Sequence, residues 1–413
     1  MMKLRKKTLA LAMATAIVGG GLTQAQAQFV AQDSLGQALI YPYLTANDGW
    51  QTFLHVTNTS NTQTVVTKVR FRAASDSADV YDIILVLSPN DMWTAVVEQN
   101  GANYGVRATD NSCTVPHYGA DVFQPFIVQT SEVYAEIIMM GVSTSTAAGS
   151  VAANAKHNTA GTPKDCAAVE AAFSSAASVA GLTEFGGPNN NLNIPFASNV
   201  LTGKFDLVHV PRAWSGAGRA TVVANFGAPA GPLVQGSGPY ILNTNMWSQS
   251  AGDFDHPTLA EGANGLTGVN IALNKSRLIN EWVLNPNLGE LSSWIVTFPT
   301  KKLNVEAISA VNGSAAQTPP KLNTFGTGGS NCITVTPSLF NREERQLIVP
   351  SPGIQQLCNE ANVINFKNGA IDSSSVLASK VAVTFPTDLL STGVLAGWMD
   401  LVMPTNTIIA GYN

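Results

Sequence analysis

One acidic loop has the residue types of a calcium site. Asp253 and Asp255 stand one residue apart in the segment GDFDHP, directly after a glycine. Calcium prefers hard oxygen ligands and takes about six to eight of them, and no further acidic ligand follows at the spacing of an EF-hand loop. We therefore keep the two aspartates as a calcium candidate and favour the alternative, a polar loop that ends at Pro257. The sequence indicates no other cofactor.

A second candidate site centres on Trp214, which lies in the glycine-rich segment RAWSGAGRA. We interpret this segment as a loop, so the indole ring is a candidate for an exposed platform on which a sugar could stack. Arg212 and Arg219 flank the ring and would suit an anionic surface. The alternative, which we favour, is a loop tryptophan folded over a sheet edge. Four other tryptophans stand in strand-like segments, where core packing is expected: Trp50, Trp93, Trp282 and Trp294.

The four cysteines predict two disulfides. An even cysteine count is typical of proteins in an oxidising compartment. Four cysteines allow three pairings, and we prefer Cys113–Cys166 with Cys332–Cys358 because each pair closes a local loop. A metal site at these cysteines is disfavoured, since no C-x-x-C occurs and no histidine stands at ligand spacing from a cysteine.

Motifs of common enzyme classes are missing from the sequence. The segment AWSGAG around Ser215 lacks the leading glycine of a nucleophile elbow and follows no apolar strand directly. No phosphate loop, dinucleotide-binding glycine motif, H-E-x-x-H or C-x-x-C-H occurs. The sequence therefore predicts a protein that is not an enzyme, and a hydrolase of unrecognised type is the least favoured alternative.

The elements that would position these residues are mostly short β-strands. Strands with alternating or apolar patterns, separated by turn residues, indicate one or two antiparallel β-sandwiches in an all-β fold. The N-terminal candidates are 37–44, 50–57, 65–73, 80–87, 92–98 and 131–140. The later candidates are 204–210, 220–226, 291–298, 333–339, 363–366 and 381–385, while 266–281 fits either a helix or an edge strand.

Composition divides the chain into four regions. Residues 142–199 are rich in Ala, Ser and Asn and predict an insertion with one short Ala-rich helix, which begins near Cys166 and extends to Ala180. The predicted organisation is a signal peptide at 1–27, an N-terminal β-sandwich region at 28–141, the insertion at 142–199 and a C-terminal β-rich region at 200–413.

The N-terminus predicts export. Four basic residues within the first seven precede an apolar run and the sequence Ala25-Gln26-Ala27, the pattern of a cleavable secretory signal. The expected mature chain has 18 basic and 27 acidic residues, a net charge of −9, which argues against nucleic acid as a partner. No later segment has the apolar length of a membrane-spanning helix, so we do not expect an integral helical membrane protein.

Several segments along the chain carry structural motifs of strands and turns: GWQTFLHVTNTS, VRFR, DIILVLSPNDMWTA, SEVYAEIIMMG, SSWIVTFPTKK, FNREE and LCNEANVINF. Together they resemble a group of exported bacterial proteins described only as hypothetical or cell-surface proteins. The resemblance runs from about Gly36 to Trp398. It implies an exported location and a β-rich fold, and it carries no functional residue to this chain.

These observations favour a structural function outside the cytoplasm. Only 12% of residues are charged, and a low charge density suits a chain that packs against copies of itself or against another envelope component. We expect a secreted or cell-surface structural protein, such as a surface-layer or extracellular matrix subunit, at the cell surface, in the extracellular space or in the periplasm. The alternative is a secreted binding module for glycan or another envelope component.

Overall fold

The computed structural model describes residues 29–173, 184–185, 198–226, 269, 272–285, 290–301, 332–347, 355–366, 377–384 and 393–408. Antiparallel β-sheets dominate this part of the chain, which confirms the predicted all-β, sandwich-like class. The predicted signal peptide at 1–27 and the calcium candidates Asp253 and Asp255 lie outside the described residues.

Among the described residues, thirteen strands precede residue 225, and the alternation of apolar and polar residues sets which face each one buries. Strand β3 buries every second residue, as its sequence predicts. The thirteen strands are β1 (Phe29–Val30), β2 (Ala38–Thr45), β3 (Trp50–Asn58), β4 (Thr64–Ala73), β5 (Asp79–Leu87), β6 (Met92–Asn100), β7 (Asn103–Ala108), β8 (Cys113–Val115), β9 (Phe123–Pro125), β10 (Glu132–Ser143), β11 (Leu201–His209), β12 (Trp214–Arg219) and β13 (Thr221–Ala224).

These strands form two sheets that pack face to face. The seven-stranded sheet has the order β1-β13-β2-β10-β4-β5-β8, and the six-stranded sheet has the order β12-β11-β3-β6-β7-β9. Tyr41 of β2 packs edge-on against Phe205 of β11, with ring centroids 6.4 Å apart. Trp50 and Trp93 are buried, as expected from their strand-like settings. The two sheets therefore share an apolar core.

Both sheets are completed by strands that follow the insertion. Strand β11 pairs with β3, and β13 pairs with β2. The predicted region boundary at residue 200 therefore does not coincide with a sheet boundary. Within the insertion, helix α1 (Val151–Ala155) was not expected from the sequence, whereas helix α2 (Cys166–Phe173) begins at the predicted residue. Residues 174–180 of the predicted helix lie outside the described part of the chain.

The segment that we interpreted as a glycine-rich loop is an edge strand. Residues Trp214 to Arg219 form β12, which pairs along its whole length with β11. Glycine has a low intrinsic preference for β-strands. Hydrogen bonds to the neighbouring strand β11 nevertheless hold this segment in an extended conformation. A Cβ at Gly218 would clash with the ring of Phe205, so this glycine lets the core ring lie under the edge strand.

The remaining strands form two smaller sheets. They are β14 (Asn274–Asn285), β15 (Glu290–Leu291), β16 (Ser293–Thr297), β17 (Ile333–Asn341), β18 (Gln355–Leu357), β19 (Ala361–Asn365), β20 (Ala382–Thr384) and β21 (Ala396–Ile408). A five-stranded sheet has the order β15-β14-β21-β17-β18, and a three-stranded sheet has the order β16-β19-β20. The ambiguous segment 266–281 thus contains the start of a strand. Trp282 and Trp294, buried as predicted, pack on Phe366 with ring centroids 6.2 and 5.6 Å away.

The three-stranded sheet covers the outer face of the seven-stranded sheet. Thr297 donates a hydrogen bond of 2.5 Å to the carbonyl of Pro42, and the amide of Ala361 donates one of 2.8 Å to the carbonyl of Ala74. Every residue of β2 and β4 is buried. The central strands of the seven-stranded sheet therefore form an inner layer, whereas a cavity of about 330 Å³ opens beside β5 and β8.

Both predicted disulfides are present. Cys113 of β8 bonds to Cys166 at the start of α2, which ties the helical insertion to the edge of the seven-stranded sheet. Cys332, directly before β17, bonds to Cys358, directly after β18. Each bridge therefore fastens a short peripheral element to the sheet beside it.

Candidate functional site

Trp214 and Arg212, two of the three predicted ligand-binding residues, meet at one corner of the six-stranded sheet. The guanidinium carbon of Arg212 lies 5.1 Å from the centroid of the indole ring, and its Nη2 lies 2.9 Å from Asp48 Oδ2. The Arg212 amide donates to Nδ1 of His209, whose Nε2 lies 2.7 Å from the Asp48 carbonyl. Arg212 is therefore already balanced by a carboxylate and stacked on the ring, and the corner is a self-contained cluster.

Arg219, the third predicted residue, lies at the other end of β12. It lies five positions after Trp214, which is about 17 Å at the usual rise of a strand. The structure therefore does not bring Arg219 to the tryptophan. Arg219 instead lines a cleft on the solvent-facing side of the six-stranded sheet.

This cleft has a volume of about 290 Å³ and is open to solvent. Its basic groups come from three adjacent strands in one row, because Lys204 of β11 lies directly opposite Arg219 on one side and His55 of β3 on the other. His55 Nε2 lies 3.3 Å from Asp206 Oδ2. The residues that line the cleft are His55, Thr57, Met92, Thr202, Gly203, Lys204 and Arg219.

The charges of the cleft are not balanced within it. Lys204 and Arg219 are exposed, and neither forms an ion pair with any residue that the structure describes. Among the described residues that line the cleft, none is acidic. The arrangement can therefore attract an anionic group. The sequence signal for it was weak, since Lys204 and Arg219 come together only through the pairing of β11 with β12.

The calcium candidate has no counterpart in the described structure. Asp253 and Asp255 are outside it, and among the residues that it does include no three His, Cys, Asp or Glu side chains are grouped so as to hold a metal ion. Calcium at these aspartates stays a prediction.

Serine, histidine and aspartate do meet at the turn between β5 and β6, but in a structural arrangement. The amide and hydroxyl of Ser88 both donate to Asp91 Oδ2, at 3.0 and 3.2 Å. His157 Nδ1 lies 3.3 Å from the same hydroxyl and 3.5 Å from the same carboxylate oxygen. A catalytic serine would instead donate to a histidine whose other ring nitrogen binds the aspartate. The contacts here anchor the insertion, through His157, to the turn.

A second group of charges is buried on the outer face of the seven-stranded sheet. Lys68 and Arg70 of β4 are each 1% exposed, and Arg70 contacts Asp79 at 2.7 Å and Asp82 at 3.2 Å. Lys68 Nζ lies 3.5 Å from Asp82. Burial lowers the pKa of Lys68, an effect that the carboxylate of Asp82 opposes, and burial likewise raises the pKa of Asp82 against the attraction of Arg70.

The same face carries a fully buried ion pair farther along β4. Arg72 Nε lies 3.0 Å from Oε2 of Glu136, whose side chain has no exposed surface. Tyr134, directly opposite Arg72, donates a hydrogen bond of 3.3 Å to the carbonyl of Pro299, so the C-terminal part of the chain covers this face. The Arg72–Glu136 pair is therefore an interior group between two layers, whereas Lys68, Asp79 and Asp82 line a separate cavity of about 330 Å³ on the same sheet.

The five-stranded sheet has an outward side that sequence reasoning missed, which we call the open face. Phe340 and Trp398 stack on it with ring centroids 3.9 Å apart and planes 7° from parallel. Beside them Arg277 makes a bidentate pair with Asp400, at 2.6 and 2.5 Å. The open face carries Arg277, Ile279, Glu281 and Val283 from β14, Trp398 and Val402 from β21, and Thr336, Ser338 and Phe340 from β17.

Three of these open-face side chains are large, apolar and exposed: Ile279, Val283 and Val402. Exposed apolar residues that occur singly are ordinary, whereas several on one face mark an interaction surface. Their signal in the sequence was the alternation of β14, which we could not separate from a helical pattern.

No protein-family model, curated protein or solved structure matches this chain. Within the described residues, no helix has the length and apolar character needed to cross a membrane. Any inference about function therefore rests on the geometry of the cleft and of the open face.

Proposed function

We propose that this chain is an exported structural protein of the cell surface or extracellular matrix that assembles with copies of itself. The observation that carries the proposal is the open face, where Ile279, Val283 and Val402 are exposed beside the stacked pair of Phe340 and Trp398. Burying such a face against another molecule releases apolar surface from water, the main driving force of protein association.

A second copy of the chain is the partner that the open face fits. Arg277 and Asp400 already neutralise each other on this face, so a two-fold arrangement can bring two apolar open faces together without burying an unpaired arginine. Because only 12% of the residues are charged, electrostatic repulsion between copies is weaker than for an ordinary protein surface.

Two further observations support export. The N-terminal pattern is that of a secretory signal, and the two disulfides are typical of an oxidising compartment. The location could be the cell surface, the extracellular space or the periplasm, and fractionation of the producing cell would distinguish these.

Sedimentation velocity of the secreted chain tests the proposal. We expect oligomers at concentrations well above micromolar, and we expect Ile279→Lys to shift them toward monomer because the charge would be buried in the contact. Ile127→Lys is the matched control, since Ile127 is 83% exposed and lies outside the open face. Calcium should promote assembly more than sodium chloride of equal ionic strength if acidic loops take part. A monomer under all conditions would refute self-assembly.

A binding module for glycan or another envelope component is the second candidate function. The cleft beside Lys204 and Arg219 favours it, because a solvent-facing depression with unbalanced charge is suited to a ligand. A monomer that binds a polymeric glycan would support this function over the first.

A further inference from the structure

We propose that the cleft on the six-stranded sheet is a subsite for a carboxylate group of an acidic polysaccharide. The proposal goes beyond self-assembly and does not rest on it, because the cleft and the open face lie on different sheets.

The first argument is the direct juxtaposition of two like charges. Lys204 and Arg219 occupy opposite positions on antiparallel strands, where side chains are close neighbours. Like charges at such positions destabilise a sheet, and neither one has an acidic partner among the described residues. Acidic residues outnumber basic ones in this chain, 27 to 22, so a counter-charge was readily available. A ligand that supplies the missing negative charge accounts for the pair.

The second argument concerns Asp206, the acidic residue in the neighbouring row of the same face. Its carboxylate contacts His55 Nε2 at 3.3 Å. The contact holds the Asp206 carboxylate at His55, and neither Lys204 nor Arg219 forms an ion pair with it. In a groove of this kind the local field attracts an anion even though the whole molecule is acidic.

The third argument is the shape and lining of the cleft. A volume of about 290 Å³ lies just below the range for small-molecule sites, about 300–1,000 Å³, and so suits one or two units of a longer chain. Thr57 and Thr202 offer hydroxyl groups that can donate to and accept from sugar hydroxyls, and Met92, which is 48% exposed, offers apolar contact.

The extended surface around the cleft favours a polymer over a free ion. Exposed cations bind a small solvated anion weakly, because the attraction is screened by water and salt. A polymer that lies along the face adds contacts at each unit. Phe53, half-buried in the row next to His55, provides an aromatic surface in the path of such a chain.

The test is a titration of the mature, secreted protein with oligogalacturonate, monitored by calorimetry. We expect saturable binding that neutral dextran of the same length does not show, and we expect inorganic phosphate at equal charge concentration to compete poorly. The double variant Lys204→Gln/Arg219→Gln should lower the affinity at least tenfold. The control Arg342→Gln/Arg345→Gln removes the same charge from an exposed turn and should leave binding unchanged.

A second variant distinguishes a loss of binding from a loss of folding. Thr202→Glu places a carboxylate beside Lys204 from within the protein, so it should abolish binding while circular dichroism and the sedimentation coefficient stay as in the parent chain. An equal loss of affinity in both double variants would show only general charge attraction, and would refute the cleft as the binding site. If phosphate competed as strongly as the polymer, the ligand would not be a polysaccharide. If oligogalacturonate did not bind at all, both the site and the ligand class would be refuted.

Discussion

The hydroxyl of Tyr41, on the seven-stranded sheet, donates a hydrogen bond of 2.6 Å to the carbonyl of His55 on the six-stranded sheet. Gly203 makes this bridge possible, because a Cβ at residue 203 would overlap the Tyr41 hydroxyl. The bridge lies beneath the floor of the charged cleft, so it fixes the distance between the two sheets at the candidate ligand site.

Gly203→Ala should therefore destabilise the fold. Inserting one methyl group into a packed interior costs about 2 kcal/mol when the neighbours cannot move aside. Tyr41→Phe in the same chain should recover part of that loss, since it removes the atom that the new methyl would meet. Guanidinium unfolding of the two single variants and the double variant measures the coupling, and additive losses would contradict a direct clash.

Lys204→Thr should stabilise the protein. The substitution removes one of two like charges that face each other across the ladder, and such pairs cost about 0.5 kcal/mol. The gain should shrink at high salt, because screening already weakens the repulsion. Urea unfolding at low and high salt checks both points. A stability loss at low salt would indicate that Lys204 makes a favourable contact in the native state.

Arg72→Met should be severely destabilising. It leaves the carboxylate of Glu136 buried without its 3.0 Å partner, and breaking a buried pair in this way costs about 3–5 kcal/mol. Arg72→Met/Glu136→Leu should recover most of the loss, because no buried charge then remains uncompensated. Denaturant unfolding of both variants provides the measurement, and a double variant no better than the single one would show that the pair is needed for another contact.

The lowered pKa of Lys68 predicts a pH dependence of stability. The folded chain releases this proton at a lower pH than the unfolded chain does, so between the folded-state pKa and 10.5 the unfolded state binds more protons. This contribution therefore raises stability as pH rises through that window, and it is lost as pH falls through the folded-state pKa. Arg70, Asp79 and Asp82 face the same ammonium group and are kept unchanged in the test.

Lys68→Met should accordingly flatten the alkaline part of the stability profile relative to the parent chain. Urea unfolding at a series of alkaline pH values gives the two slopes. Lys164→Met, at an exposed residue of the insertion, controls for the loss of one positive charge. Parallel profiles for Lys68→Met and the parent would contradict the prediction.

Local patterns were sufficient to predict most of the strands. β3, for example, has one solvent-facing side, so apolar and polar residues alternate along it and its position follows from the sequence. Strand β4 was also predicted, and its sequence alternates, with Val69 and Phe71 opposite Lys68, Arg70 and Arg72. The burial of its basic side could not be predicted from the sequence of β4. The carboxylates that neutralise these buried charges belong to β5 and β10.

The candidate sites were predicted less well, for the same physical reason. Arg219 was grouped with Trp214 because the two are near in sequence. They are the first and last residues of the extended strand β12, which holds them apart. Its neighbours in the cleft, Lys204 and His55, come from two other strands. Only the register in which β11 pairs with β12 and with β3 brings these three residues together. The stacked Phe340 and Trp398 were missed likewise, since only the pairing of β17 with β21 brings them together.

The pairing of the central strands has a consequence for how the chain reaches its folded state. Strand β2 needs β13, where Ile40 pairs with Thr221, and β3 needs β11, where Leu54 pairs with Phe205. Partners so distant in sequence give a high contact order and slow folding. A nascent chain that ends before residue 200 would leave two central strands with open edges, which are templates for aggregation. Synthesis must therefore run well past the insertion before the first sandwich can close.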